Sequence, residues 1–295
     1  MKKRTVVASA LSASALTAGY ALIDQFTKRA LYRERLDKEN RIDWYSDLGG
    51  VKVKIKNHKN LFLQAYLFEE EGATQTIIGL HSLKKSAIAL KETVKVLKVL
   101  YPNSNVLLYD ANAHGLSDGY IRGLGYKDIT DLMYFNTYIL QKYGEDHHII
   151  MYGRGTGANT VLNAASLGKL KNVDMIISEG AYDQAMHYMA HLCYASTNVT
   201  RFVCEPVIRM IVKNEVGVDL KKLNTAALVR HNKIPTVFIH SKNDKEMPFE
   251  MVLKLYNNNK SEKCLFPLKE ESLCDLTEFS DNYSSSLVEF LNDHK

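Results

Sequence analysis

The sequence is sparing in the residues from which metal and redox centres are built. Its four cysteines are Cys193, Cys204, Cys264 and Cys274. No two of them stand as C-x-x-C, the spacing that zinc ribbons and dithiol redox centres use, so no metal site is expected and no cofactor is called for. Two disulfides could form in an oxidising compartment, but four free thiols is the preferred reading. Charge of one sign is also scarce. The net charge is +5, and no dense basic stripe is interleaved with aromatics, so no nucleic-acid partner is expected. The chain has no internal repeat, no low-complexity tract and no clear internal linker. Histidine is nearly missing from the end: after His240 there is one, His294.

What is present is enough for a substantial core. The 295 residues are 46% hydrophobic and 24% charged, which suits one large α/β domain or two small ones. The N-terminus reads differently from the rest. Lys2, Lys3 and Arg4 precede an uncharged run from Thr5 to Ile23. That run is just long enough to span a bilayer, although it is rich in Ala and Ser. Small-x-small patterns such as Ala13-Ser14-Ala15 also suit a signal peptidase. Residues 1–23 are therefore read as a signal anchor, with a cleaved signal peptide as the alternative. Residues 24–48 are read as a juxtamembrane helix or linker, and 49–295 as the folded domain. The basic N-tail favours a domain outside the cytoplasm, whereas Lys28, Arg29, Arg33, Arg35 and Lys38 pull the other way. Extracytoplasmic placement is the expectation; secreted and cytoplasmic-facing forms are the alternatives.

From residue 50 the pattern becomes β, then alternating β and α. "VKVKIK" (51–56) and "LFLQAYLF" (61–68) flank a turn and predict an antiparallel hairpin at a sheet edge. Six short apolar runs follow, at 76–81, 105–110, 148–153, 174–179, 235–240 and 263–268. They read as strands buried on both faces of a parallel sheet. Helical spacing falls at 84–99, 126–143, 156–167 and 246–258, with a last helix at 278–294. Residues 182–232 hold two or three helices between strands, a small helical excursion. The fold class is thus α/β, a mostly parallel doubly wound sheet with an antiparallel start.

Chemistry in such sheets gathers at the carboxyl ends of the strands. Four motifs lie there: "LHSLKK" (80–85), "YDANAHGLSDG" (109–119), "YGRGTGAN" (152–159) and "PTVFIHSKNDKEMPFE" (235–250). In this order they resemble the α/β-hydrolase superfamily over roughly residues 50–292. Within it they are most similar to bacterial N-terminally anchored serine hydrolases of the serine-aminopeptidase-like (S33) and acyl-esterase type. The resemblance implies an oxyanion segment at His81-Ser82, where the family has His-Gly. It also implies an Asp-x-Arg-Gly-His-Gly-type loop with Asn112 in place of the arginine, a nucleophile elbow centred on residue 155, and a triad acid at Asp244.

The departures matter more than the matches. The elbow pushes one side chain into the site, and that side chain must attack a carbonyl. Gly155 has none, although glycine suits the positive φ the turn requires. The family's histidine lies before the last helix, but "KEESLCDLTEF" (269–279) has none, and Leu273 or Cys274 stands near its place. Asp244 alone of the triad remains. Ser82 is a candidate substitute nucleophile and His114 or His81 a substitute base. Thr156 is expected to point into packing. His81, Ser82, Arg154, Thr156 and His240 are candidate ligand-binding residues. Three histidines near Asp110 and Asp244 bring a metal to mind, yet the resembling enzymes carry histidines there without one. Arg154, Lys84 and Lys85 allow an anionic ligand; solvated charge is the simpler reading. The expected function is that of a membrane-tethered pseudohydrolase that binds an acyl or peptide ligand, or a protein. The main alternative is an active hydrolase of esters, amides or peptides using a relocated nucleophile. An isomerase, lyase or metal-dependent activity in the same cleft is a third.

Overall fold

In the computed structural model the described residues are 2–33, 43–268 and 290, with 2–16 as backbone only. An eight-stranded sheet forms the centre. Its strands are β1 (Gly50–Lys56), β2 (Phe62–Phe68), β3 (Gln75–Leu80), β4 (Ser104–Tyr109), β5 (His148–Arg154), β6 (Val173–Glu179), β7 (Thr236–Ser241) and β8 (Lys263–Leu268). Their order across the sheet is β1-β2-β4-β3-β5-β6-β7-β8. β2 runs antiparallel to both β1 and β4, and all other neighbours are parallel. The predicted edge hairpin and all six further predicted strands are present, although β8 lies at the other edge of the sheet and is half-buried. The inner strands read as unbroken apolar runs because helices cover both faces, so period-two alternation survives only on exposed β1.

The helices are α1 (Lys2–Leu31), α2 (Lys91–Leu100), α3 (Asp128–Tyr143), α4 (Thr156–Ser166), α5 (Ala185–Thr197), α6 (Arg201–Val216), α7 (Thr225–Leu228) and α8 (Phe249–Asn258). Leu132, Phe135 and Ile139 of α3, Val161 and Leu162 of α4, and Val252 and Leu255 of α8 pack with one sheet face. Val94 and Leu97 of α2 pack on the other, together with Trp44 and Phe290. Trp44 stands before the expected domain boundary, with its ring 4.8 Å from Tyr66 and 6.0 Å from Phe68. Residue 290 is helical; the rest of the predicted final helix, the 269–279 loop, Leu273, Cys274 and His294 lie outside the described residues. Among the described residues, Cys193, Cys204 and Cys264 are free thiols.

The excursion between β6 and β7 builds a third core of its own. Met186, Met189 and Cys193 of α5 pack with Ile208, Ile211 and Val212 of α6, and α1 supplies Ile23, Ala30 and Leu31 to the same cluster. Within the 24–48 stretch expected as a juxtamembrane helix or linker, Ala30 is 2% exposed and Leu31 0%, and Ile23 just before it is 1%. The end of α1 is sewn to the loop after β4. Arg122 N–H donates to the Leu31 carbonyl, and Arg33 N–H to that of Tyr120. The Arg33 guanidinium donates to the carbonyls of Ser117 and Gly115 at 2.6 and 2.7 Å. Arg33 therefore spends its charge on backbone oxygens. Among the described residues, no helix is long and apolar enough to cross a membrane. Truncating Leu31 to Ala should destabilise the chain by about 2–4 kcal/mol through the cavity it leaves. Urea unfolding of the full chain measures this, and a loss near zero would mean that α1 is only loosely laid on the body.

Candidate functional site

The elbow is folded as its sequence demands. β5 ends at Arg154, Gly155 turns at φ +58°, ψ −122°, and α4 begins at Thr156. The turn is crowded. A Cβ at Gly157 would lie 2.5 Å from the Leu80 carbonyl oxygen and 2.7 Å from that of His81, so a glycine is needed for α4 to pass the end of β3. The Gly155 N–H donates to the Glu179 carbonyl at 2.9 Å, and the Asn159 N–H returns to the Gly155 carbonyl at 3.2 Å. The backbone geometry of a nucleophile elbow is thus intact.

The space above it is already filled. A Cβ at position 155 would stand 2.1 Å from Ser82 Oγ and 2.7 Å from Ser82 Cβ. The Ser82 hydroxyl occupies the volume into which the side chain of an elbow serine would project. The backbone of Ser82 is fixed, because its carbonyl accepts from the Lys85 N–H at 3.1 Å and from the His81 ring at 2.8 Å. Gly155 and Ser82 are a matched pair: the glycine makes room for the serine.

Ser82, Gly155 and Asp244 line one cavity of about 590 Å³, together with Lys85, Arg154 and Glu179. Asp244 sits where the resemblance places a triad acid. Its Oδ1 accepts the N–H groups of Glu246 and Met247, both at 2.8 Å. Leu268, the end of β8, also lines the cavity, so the chain leaves the described region at the cavity wall. Arg154 lies there too, with its Nε 3.4 Å from the carboxylate of buried Glu179. The Tyr152 hydroxyl donates to that same carboxylate. The cation is therefore balanced by an anion beside it, and the wall presents both signs of charge.

The three histidines are committed elsewhere. The Ala111 N–H donates to His81 Nε2 at 3.1 Å, so the ring proton sits on Nδ1 and is given to the Ser82 carbonyl. Burial lowers the His81 pKa to about 4, and the neutral ring ties the end of β3 to the end of β4. Both nitrogens are used, which removes His81 as a base for Ser82. His114 donates from Nδ1 to the Asn112 carbonyl at 2.9 Å, while its Nε2 is buried without a partner. It lines a separate hollow of about 10 Å³ shared with His81, Thr156 and Asp128, not the cavity of Ser82, and burial holds its pKa well below the ordinary imidazole value. His240 donates from Nε2 to the Met247 carbonyl at 2.6 Å; it too is kept neutral by burial and is not part of the cavity lining. Thr156 is buried and lines the same small hollow as His114, not the cavity of Ser82. Among the described residues, no group of three or more His, Cys, Asp or Glu is placed to hold a metal ion.

The Asp110–Gly119 loop is structural. Buried Asp110 accepts the Ala87 N–H at 2.7 Å and the Leu116 N–H at 2.8 Å. Ser117 Oγ donates to the Asp110 carbonyl and accepts from the Gln64 N–H. Asn112, in the family's arginine position, donates to the Ile121 carbonyl at 2.8 Å, and its N–H donates to Asp131 at 3.3 Å. Asp131 and Asp128 are both buried. Burial and the neighbouring Asp131 raise the Asp128 pKa to about 7. Sequence reading singled out neither carboxylate; Asn112 in a place where the resembling family carries a cation was the available sign.

Eight strands in this order, the elbow between β5 and α4, and an acid after β7 define the α/β-hydrolase fold. Similar solved structures include an esterase of Pyrococcus furiosus (20% identity, TM-score 0.68, 90% of this chain and 97% of that one). An α/β hydrolase of Penicillium sp. sh18 matches at 20% identity and TM-score 0.62, over 83% and 98% of the two chains. Acetyl xylan esterase 1 of Thermoanaerobacterium sp. JW/SL YS485 matches at 13% and 0.59, over 92% and 94%. By sequence the chain is 24% identical over 189 residues to the uncharacterised protein YqkD of Bacillus subtilis, covering 64% of this chain and 62% of that protein. No family model matches. The chain has the α/β-hydrolase fold.

Two outcomes follow from the site. Gly155→Ser should cost roughly 2–4 kcal/mol from backbone strain and overpacking. Adding Ser82→Gly should recover only the overpacking part, a coupling of about 1–3 kcal/mol in a double-mutant cycle by urea unfolding; additive effects would show that the two side chains do not compete. Asp128, with its pKa raised on folding, contributes most stability below pH 4 and loses it as the pH climbs through about 7. Asp128→Asn should therefore gain roughly 1–3 kcal/mol over wild type at pH 8 and little or nothing at pH 4. Unfolding curves at the two pH values check the sign.

Proposed function

We propose that this protein is a pseudohydrolase: an α/β-hydrolase fold that holds an acyl or peptide ligand, or a segment of a partner protein, in the cavity over its elbow without turning it over. The observation that carries the reading is the Ser82–Gly155 pair. The nucleophile's place is filled by a hydroxyl, and both nitrogens of adjacent His81 are engaged by backbone groups. In a subtilisin-type triad, loss of the set costs about 10⁶ in kcat. The cavity is left with Asp244, a mixed-charge wall and the apolar surface of Leu90, Met247 and Leu268, which suits a ligand with both a polar and an apolar part. The N-terminal helix, headed by Lys2, Lys3 and Arg4, tethers the domain to a membrane, with the domain on the extracytoplasmic side.

A second reading has an observation of its own. Ser82 Oγ lies so near the elbow that it stands where an attacking oxygen would stand. In that reading the protein is a serine hydrolase with a relocated nucleophile, acting on esters as several of its structural neighbours are named to do. It then needs a base from residues 269–295. The full chain incubated with a fluorophosphonate, beside an active serine hydrolase, separates the two. Intact mass and peptide mapping should find no adduct. A stoichiometric adduct on Ser82, lost in Ser82→Ala, would establish the hydrolase and overturn the pseudohydrolase.

A further inference from the structure

The end of the helical layer carries an apolar surface. The Tyr32 hydroxyl donates to Glu215, placing the last turn of α1 on the last turn of α6. The two helices pack along one another in a common core, so they run in the same direction. Tyr20 precedes Tyr32 by twelve residues, and Val203 precedes Glu215 by twelve. At about 1.5 Å per residue both stand about 18 Å back from the Tyr32–Glu215 contact, on the same level. The corner between α5 and α6 lies at that level too, since α5 ends at Thr197 and α6 starts at Arg201. By this reckoning the exposed apolar side chains Tyr20, Leu22, Tyr194, Phe202 and Val203 fall near that level, while exposed Met210 lies about two turns further along α6. Phe202 is 91% exposed, an uncommon state for a phenylalanine on a helix whose other side is packed in a core.

We propose that this corner is a membrane-contact surface, with the side chain of Phe202 inserted among the acyl chains and the first half of α1 laid in or on the same bilayer. The inference rests on the tether reading above and names the part of the body that touches lipid. The occupant is argued from what adjoins the corner. The uncharged run from Thr5 to Ile23 enters the body at this level and is headed by three cations. A short basic stretch followed by Ala, Val and Leu matches an anionic headgroup layer over hydrocarbon. The uncharged run of α1 is rich in Ala and Ser, so its insertion is weakly favourable, and a second apolar contact on the body adds to the anchoring. Arg201, exposed at the start of α6 and beside Phe202 in sequence, can reach phosphate while the aromatic ring goes deeper.

The sequence has a single tryptophan, Trp44, and it is buried. This allows a direct test with the full chain and vesicles of phosphatidylcholine and phosphatidylglycerol, with and without brominated acyl chains. Phe202→Trp adds a reporter at the corner, and Val99→Trp adds one on α2, where Val99 is likewise exposed. Both positions face solvent, so folding is preserved. The expected result is vesicle binding by all forms, strong bromine quenching of the tryptophan at 202, and none at 99. Phe202→Asp should weaken vesicle binding about tenfold, the loss of roughly one buried apolar side chain. If the chain binds vesicles but the reporter at 202 is quenched no more than that at 99, the corner is not the contact and the tether stands without it. If no form binds vesicles, the tether fails and the contact surface falls with it.

Discussion

The turn from β5 into α4 is crowded from three directions. The Leu80 and His81 carbonyls press on Gly157, Glu179 of β6 holds the Gly155 N–H, and Ser82 fills the space above Gly155. Because packed interiors leave no slack for an extra atom, each of these neighbours limits what the turn can carry. The backbone keeps the shape that presents a nucleophile, and the shape is held by neighbours that owe nothing to the nucleophile itself. A fold of this kind can lose its reacting group and still need the elbow, since α4 could not otherwise leave β5 and cover the sheet.

The histidines show the same separation between position and chemistry. His81, His114 and His240 all sit at strand ends or in the loops that follow, where a reader of the sequence places catalytic groups. Hydrogen bonds to backbone then decide their roles. His81 links two strand ends, His114 closes a small hollow under the loop, and His240 braces the turn that carries Asp244. Each is neutral and each has its ring orientation fixed by a carbonyl. They act as polar rivets in a region where several chain turns meet away from water.

The sheet was legible because its strands are uniform apolar runs between turn residues, and the elbow was legible because two glycines at fixed spacing have one steric purpose. The missing side chain at the elbow was also visible, since Gly155 has none with which to attack. Other features depended on three-dimensional neighbours. The fit between Ser82 and Gly155 joins residues far apart in sequence, and nothing local to "LHSLKK" predicts it. The docking of Ile23, Ala30 and Leu31 was hidden by the uncharged run, which made residues 1–23 read as a signal anchor and 24–48 as a juxtamembrane helix or linker. The helical spacing of those three residues was present in "LIDQFTKRALY", but it begins inside that run. Arg33 reads as a membrane-flanking charge until its carbonyl partners are known. His114 and Ser82 both follow strand ends, yet Ser82 lines the cavity over the elbow and His114 a separate small hollow.

The shared space above the elbow also couples what positions 82 and 155 can carry. In the resembling enzymes position 82 is a glycine and the elbow carries the nucleophile. From that arrangement, a serine arriving at 82 first would collide with the elbow side chain. Losing the nucleophile first leaves only an empty notch, which the fold tolerates and which a hydroxyl can later fill. The pair works as an interlock: with Ser82 seated, a side chain at 155 needs a matching shift at 82.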